Sequence, residues 1–504
     1  MKSASAIPSD TGTRPTSRVR TEPRSRGESR ARQVLLLVHR YTAVAVGLLV
    51  ALWCVSGFVM MYQSYPAFTR AERLRGLAPI TWDDCCTTAF LGDDDTPLDD
   101  FHIEMLRGAP VLRRPGAAPV DLRTGAAVPQ LSQPQLLEVA DAYARRHTVD
   151  ARPQWRGEID VDQWTIQTAG RNRPAHRVAL GDMAGTEIYI NSATGEIFQD
   201  TSRRERVLSW FGAIPHWLYP TVLRRDQRLW SNVVITTSTV GVFLAGTGLY
   251  AGLVRWRRRK GSRFSPYRGW WYWHHWLGLV FGILSLTWLF SGLMTMNPWG
   301  VFDGRGVGAQ ALRQLRGEAT VAGLHRFLEA APARLAGDSY VHLQGEVFAG
   351  QLQVIAWRAD GSSVRLSADA VPDALTAAAA ERAARSLGFG VRGFARLEEG
   401  DDYYYRHKEP VELPVYRAIL DDPRRTRLYI GAVTGETGSV DDGDRRGRWL
   451  ERALHGMDFR ILRGRPLWDA VTLLLLAGVT ALAVTGVWMA LKRIRTDLAP
   501  HPRA

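Results

Sequence analysis

Four histidines recur in register. His39 and His274 lie 235 positions apart, each within a conserved-length local repeat of the same chain, and His216 and His455 lie 239 apart. Imidazole is costly in lipid unless it is paired or ligates something. Two imidazoles supplied by two copies of one unit can face each other across a pseudo-twofold axis. That arrangement supplies the two axial nitrogens of a haem iron, with His39 and His274 forming one site and His216 and His455 the other. The second ring nitrogen of each then needs an acceptor that fixes its orientation. An interfacial anchor is the alternative role for any one of these histidines. A closed zinc site is disfavoured, because no cysteine or carboxylate cluster accompanies them. His275 and Arg40 follow the first pair and align with each other. Adjacent helical residues point about 100° apart, so the repeat selects His274 over His275 as the axial residue. Arg40 suits a propionate carboxylate, and His275 is kept as a further cofactor-binding candidate.

The elements that must position these residues are membrane helices. Four windows lack Asp, Glu, Lys and Arg: Tyr41–Tyr65, Ser231–Val254, Gly269–Phe302 and Ala470–Leu491. Each meets the rough 20-residue requirement for crossing a bilayer. In the first and third, Gly47 matches Gly282, Trp53 matches Trp288, and Ser56–Gly57 matches Ser291–Gly292, all at the His39 offset. The small pairs allow close helix approach or make room for a flat macrocycle.

The net charge of +14 over 504 residues could indicate nucleic acid, but its placement argues against that partner. Residues 1–32 carry Lys2 and seven arginines, and seven basic residues with no acidic one fill 255–268. Lys492, Arg493 and Arg495 follow the last window. These three regions share one side if the windows span, which predicts cytoplasmic termini and outward-facing long loops. Residues 1–32, rich in Ser, Pro, Thr and Arg, are expected to form a disordered arm.

The expected organisation is a tandem duplication. A span at 33–65 leads to an outer α+β domain at 66–202, then a His-bearing segment and span at 203–254. The basic loop 255–268 separates this from a second copy: a span at 269–301, an outer domain at 302–444 and a His-bearing segment and span at 445–491. A tail at 492–504 closes the chain. Helices are expected over Ser132–His147 and Pro372–Leu387. Strands are expected over Gln154–Ile159, Gln163–Thr168, His176–Leu180 and Thr186–Ile190, then Tyr403–His407, Val415–Leu420 and Arg427–Ile430. YINSATGE and YIGAVTGE close the two domains, with Tyr189 matching Tyr429 at offset 240. His102, His147, His176, His325, His342 and His407 lie in the outer loops without metal spacing and read as ordinary residues, as does His501 in the tail. Cys54 sits in the first span; Cys85 and Cys86 are adjacent and are expected to remain unpaired. No dinucleotide fingerprint follows a strand, so electron-transfer chemistry on these histidines would need a separate electron donor.

The ordered set resembles the PepSY-associated transmembrane protein family over nearly all of 33–495. Its marks are HRYTAVAVGLL and HHWLGLVFGIL at the starts of two spans, the two Ser-Gly pairs, the two closing turns, and PHWLYP and LHGMDF before the other spans. The first copy departs from the family's usual HRWLGL but keeps its histidine. The resemblance implies an α-helical membrane protein of four spans with two extracytoplasmic PepSY-like α+β domains, in a bacterial cytoplasmic membrane. Some members are similar to haem-b ferric-siderophore reductases, which implies two haems on His39, His274, His216 and His455. It implies electrons passing from an unidentified inner donor to a ferric siderophore or other outer acceptor. PepSY domains are elsewhere associated with peptidase inhibition. The alternative is therefore a non-enzymatic membrane protein that binds and regulates such a partner.

Overall fold

The computed structural model describes residues 26–147, 152–256, 265–304, 307–406 and 411–498. The expectations for 1–25, most of the basic loop, His407 and His501 lie outside the described residues. Among the described residues, four helices are long and apolar enough to cross a membrane: Arg26–Met60, Gln227–Arg255, Trp270–Met294 and Leu467–Leu498. Large apolar side chains on them face outward; Leu48 is 72 % exposed, Ile283 65 % and Leu474 70 %. In water that surface would be an aggregation liability; against lipid it is the expected exterior. The chain is thus built as a multi-pass membrane protein.

The first helix starts earlier than expected. Residues 26–32, assigned to the arm, continue it as helix, because arginine, glutamate and alanine favour helix and no proline lies between Pro23 and Pro66.

The first span packs on the second and fourth, and the third packs on the same two, so first and third face each other diagonally. Each copy contributes one adjacent pair. Gly478 brings the fourth span against the Phe281 ring of the third, where any larger residue would clash.

Beyond the helix bundle, the described residues form three antiparallel sheets. A four-stranded meander in the first copy runs Gln154–Ile159, Ala175–Ala179, Glu187–Asn191 and Ile197–Thr201, with helix Gln133–Arg146 on it. The second copy repeats this with Val391–Leu397, Val415–Leu420, Arg427–Gly431 and Thr437–Val440 under helix Ala377–Arg385. Between them lies a six-stranded sheet to which each copy gives three strands. Its order is Ser363–Ser367, Gln351–Arg358, Tyr340–Phe348, His102–Leu106, Ala109–Arg113, Val120–Asp121. The seam between copies is one short ladder, with His102 opposite Gln344 and Ile103 opposite Leu343. One core lies beneath it, with Phe101, Ile103 and Leu112 of the first copy packed among Phe327, Leu328 and Val354 of the second.

Two expected strands are loops instead. At Gln163–Thr168, the Asp162 carboxylate accepts from the backbone of Trp164 and Thr165, at 2.9 and 3.0 Å. At Tyr403–Tyr405, Asp401 accepts from the backbone of Tyr403 and Tyr404, both at 2.9 Å. A carboxylate that binds amides of its own chain just ahead folds the backbone into a turn and removes those amides from any ladder. In both copies the same carboxylate also accepts from the conserved-position tyrosine hydroxyl, Tyr189 or Tyr429. Cys85 and Cys86, expected to stay apart, are joined by a disulfide across a cis peptide beside the shared core.

Candidate functional site

His216 closes the short helix Ala213–His216, which follows helix Arg203–Phe211. That helix is started by a reciprocal cap between Ser202 and Glu205. The short segment packs on the first span. There, His216 Nδ1 lies 3.0 Å from Ser56 Oγ and 3.2 Å from the Trp53 carbonyl. His455, in Leu454–Gly456, packs on the third span in the same way. Its Nδ1 lies 3.2 Å from Ser291 Oγ and 3.3 Å from the Trp288 carbonyl. The two rings approach to 5.9 Å between centroids. Metal–imidazole bonds are about 2 Å long, so two rings at this spacing can share one metal ion. Burial, and then the neighbouring His455, push His216 down to about 4; burial pushes His455 down as well. Both rings are therefore neutral at ordinary pH and keep a lone pair.

The inner pair is held by the other two spans. His39 Nδ1 lies 3.2 Å from the Leu244 carbonyl and 3.4 Å from Thr247 Oγ1 of the second span. His274 Nδ1 lies 3.0 Å from Thr485 Oγ1 of the fourth and bonds the Leu482 carbonyl. Each ring approaches a glycine with its Cε1 corner. A Cβ on Gly248 would fall 2.6 Å from His39 Cε1, and one on Gly486 3.2 Å from His274 Cε1. His39 and His274 are within Coulombic reach of each other from diagonal helices.

All four histidines thus share one design. A hydroxyl and a carbonyl of a neighbouring helix hold Nδ1, and among the described residues no hydrogen bond reaches Nε2. A ring whose Nδ1–H is given to a carbonyl presents Nε2 as a ligand atom. Two buried indole N–H groups, those of Trp53 and Trp288, have no acceptor among the described residues. They too are a matched pair from the two copies.

His275 is held differently. Its Nδ1 lies 2.8 Å from Ser265 Oγ and its Nε2 2.9 Å from the Gly252 carbonyl. Both nitrogens are engaged by protein, so His275 ties the end of the second span to the start of the third. The 100° step along the helix separates it from His274. Arg40 is half-buried one residue after His39.

The structure also assembles a cluster that reading the sequence set aside. His102 and His342, one from each copy, approach to 5.3 Å across the seam. His342 Nδ1 lies 2.9 Å from Glu104 Oε1, and His102 Nε2 lies 3.2 Å from Glu196 Oε1. Ligand atoms of His102, Glu104 and Glu196 come within 4.8 Å of one another. The place a cation would take is filled by Arg73, whose Nη2 donates to Glu104 at 2.6 Å and Glu196 at 2.9 Å. Burial alone would push the Glu104 carboxyl up; Arg73, with His342 and His102, holds it well below its ordinary value instead. Opposite burial, His102, Arg113 and Arg73 bring Glu196 down to about 2. The cluster is an ion-pair network joining the copies. Only the match of His102 with His342 at offset 240 signalled it in the sequence. The remaining outer histidines have ordinary partners: His176 accepts from the Trp155 indole, and His325 pairs with Asp94.

No model of a known protein family matches the chain, and no curated protein matches it.

Proposed function

We propose that the protein is a haem-b oxidoreductase that carries electrons across a bacterial cytoplasmic membrane to an acceptor outside, a ferric siderophore or similar chelate. The observation that carries this reading is the fourfold cradle: each of His39, His274, His216 and His455 has Nδ1 fixed and Nε2 open. The residues fit a flat iron macrocycle at two levels. The glycines at 248 and 486 keep the inner rings clear of Cβ atoms, and the Trp53 and Trp288 indoles supply unmatched donors beside the outer level. Ser56 lies 17 residues beyond His39 on one helix, so the two levels are roughly 25 Å apart along the bundle.

Bound haem supplies reversible one-electron exchange. The chain's part is to set the iron's surroundings: two neutral imidazoles, a hydroxyl on each and an apolar bundle that excludes water. A separate donor on the cytoplasmic side delivers each electron, and one electron converts Fe(III) in the chelate to Fe(II), which hard oxygen ligands hold less tightly. The basic residues near the described ends of the spans support a cytoplasmic inner level. On this reading the two β-sheet domains are the PepSY-like outer domains that the sequence resemblance implies.

The test is an absorption spectrum of the detergent-purified protein before and after dithionite, with haem counted per chain. Two low-spin b-type haems are expected in the native protein, and one in His455→Ala or His216→Ala. A protein that stays colourless after expression with added haem rejects the reading and favours the alternative, partner-binding outer domains.

A further inference from the structure

The two copies cover their outer histidines differently. Beside His216 the first copy is filled by aromatic rings. Tyr65 lies 5.9 Å from Trp217, 6.1 Å from Trp164 and 5.5 Å from Tyr219. Gln163 ties this cluster down by donating to the Tyr219 carbonyl at 2.8 Å. Beside His455 the second copy has a cavity of about 450 Å³, lined by His455 itself with Arg448, Arg452, Tyr403, Tyr405 and Asp402.

Aligning His216 with His455 puts Ser209 and Ala213 where the second copy has Arg448 and Arg452. Ser209 and Ala213 are buried in the first copy. Arg448 is buried too, at 3 % exposure, but it carries a charge. Its Nε donates to the Asp402 carbonyl at 2.8 Å and its Nη2 to the Asp458 carbonyl at 2.7 Å. Its Nη1 has no hydrogen-bond partner among the described residues. Buried guanidinium N–H groups are normally matched by acceptors, and an unmatched one lining a cavity marks where an acceptor belongs. The nearby carboxylates are already engaged: Asp458 pairs with Arg448 and Arg463, and Asp402 with Arg463. Burial pushes the Glu451 carboxyl up, against the pull of Arg452. The turn that carries these residues, Arg448–Ala453, is π-helical where the first copy ends one helix at Phe211, breaks at Gly212 and starts the short helix Ala213–His216. A π turn inserts one residue and re-aims the side chains around it, often at functional positions.

We propose that the cavity beside His455 is the docking site of an oxygen-rich anionic ligand, a ferric chelate bearing carboxylate-type oxygens, received by Arg448 and Arg452, so that the outer level is accessible from the second copy's side only. This rests on the reductase reading for the identity of the ligand as an electron acceptor. A haem propionate offers the same carboxylate chemistry, and the experiment separates the two sources.

Ferric citrate labelled with radioactive iron is dialysed to equilibrium against the full-length protein in nanodiscs of neutral lipid, with haem content and spectrum recorded on the same samples. Arg448→Gln is expected to weaken chelate binding at least tenfold while keeping the native haem complement. Gly456→Leu fills the cavity from a position whose added Cβ meets nothing within 4 Å, and the same loss is expected. Ser209→Ala, in the first copy, is expected to change nothing. Unchanged chelate binding in both second-copy variants, or no binding by the native protein, overturns the proposal. Loss or spectral shift of a haem in Arg448→Gln, with chelate binding intact, also overturns it and assigns Arg448 to a propionate. A haem-free native protein that still binds ferric citrate through Arg448 sinks the reductase reading and leaves the docking site standing.

Discussion

His216 and His455 are held by the same pair of partners, a serine hydroxyl and a tryptophan carbonyl, at distances that differ by 0.2 Å or less. Immediately beside them the copies part. One has a packed aromatic cluster around Tyr65, the other a cavity with a buried arginine. Duplication first gives two equal units, and a site on the axis between them needs both. Everything off that axis is free to diverge. The shared cradle therefore marks what the pair does together, and the unequal cover marks what each copy does alone.

Substitutions that treat the copies unequally sharpen this division. The largest effect is expected at the inner level. Gly248→Ala places a methyl 2.6 Å from the His39 ring, whereas Gly486→Ala places one 3.2 Å from His274. On the haem reading proposed above, Gly248→Ala should lose most of the inner haem and Gly486→Ala should retain most of it, read as haem per chain. Equal retention would break the idea that the tighter cradle is the first copy's.

At the seam, Arg73 belongs to the first copy alone. Aligning Leu74-Arg75-Gly76 with Leu315-Arg316-Gly317 puts the exposed Gln314 in its place. Arg73→Met leaves Glu104, 2 % exposed, beside Arg113 at 3.5 Å but without its closest cation. Breaking a buried pair by removing one partner costs about 3–5 kcal/mol. Thermal or denaturant unfolding of the outer domains should register a loss of that order, while Gln314→Ala should stay within about 0.5 kcal/mol.

Asp200 has Ser439 as its counterpart, since it pairs with Ile188 as Ser439 pairs with Leu428. Burial, then Glu72 and Glu205, push the Asp200 carboxyl up to about 7. A carboxyl that holds its proton more tightly when folded stabilises the fold fully below its unfolded value of about 4, and that contribution is lost as pH rises through 7. The native protein should lose stability between pH 4 and pH 8, by at most about 4 kcal/mol from this group. Asp200→Asn should flatten that slope, measured as unfolding midpoint against pH. The smallest effects are expected from Ser56→Ala and Ser291→Ala. Each removes one hydroxyl from a histidine that keeps its carbonyl, a change of about 1 kcal/mol or about 40 mV in the outer haem's potential. The two shifts should match, and unequal shifts would show that the cradles are not equivalent.

The spans and the histidine repeat were legible because both are written in short windows: length without charge, and residue types at a constant offset. Helix Gln133–Arg146 and the strands Gln154–Ile159 and Val415–Leu420 were legible for the same reason. The loops at Asp162 and Asp401 were not, since the aromatic, β-favouring residues after them imitate a strand until the carboxylate's grip on the following amides is seen. The central sheet was also missed. Its hairpins turn at Arg107-Gly108 and Ala349-Gly350, two residues each with positive φ, the local signature of a tight hairpin turn. What joins the hairpins is a pairing between His102–Leu106 and Tyr340–Phe348, and no local pattern specifies a partner so distant in the chain. The Arg73 cluster inherits that obscurity, because its members meet only once the seam has closed.

The seam also sets an order of events in the cell. When the first copy leaves the ribosome, strand His102–Leu106 has a neighbour on one side only, and the other edge waits for residues roughly 240 positions later. At 5–20 residues per second that wait is on the order of tens of seconds. During it, an open strand edge and half an apolar core face the aqueous side of the membrane, where any other nascent chain can pair with them. The period just before the second copy arrives is thus the protein's most vulnerable, and chaperones on that side have a defined target: the unpaired first-copy hairpin.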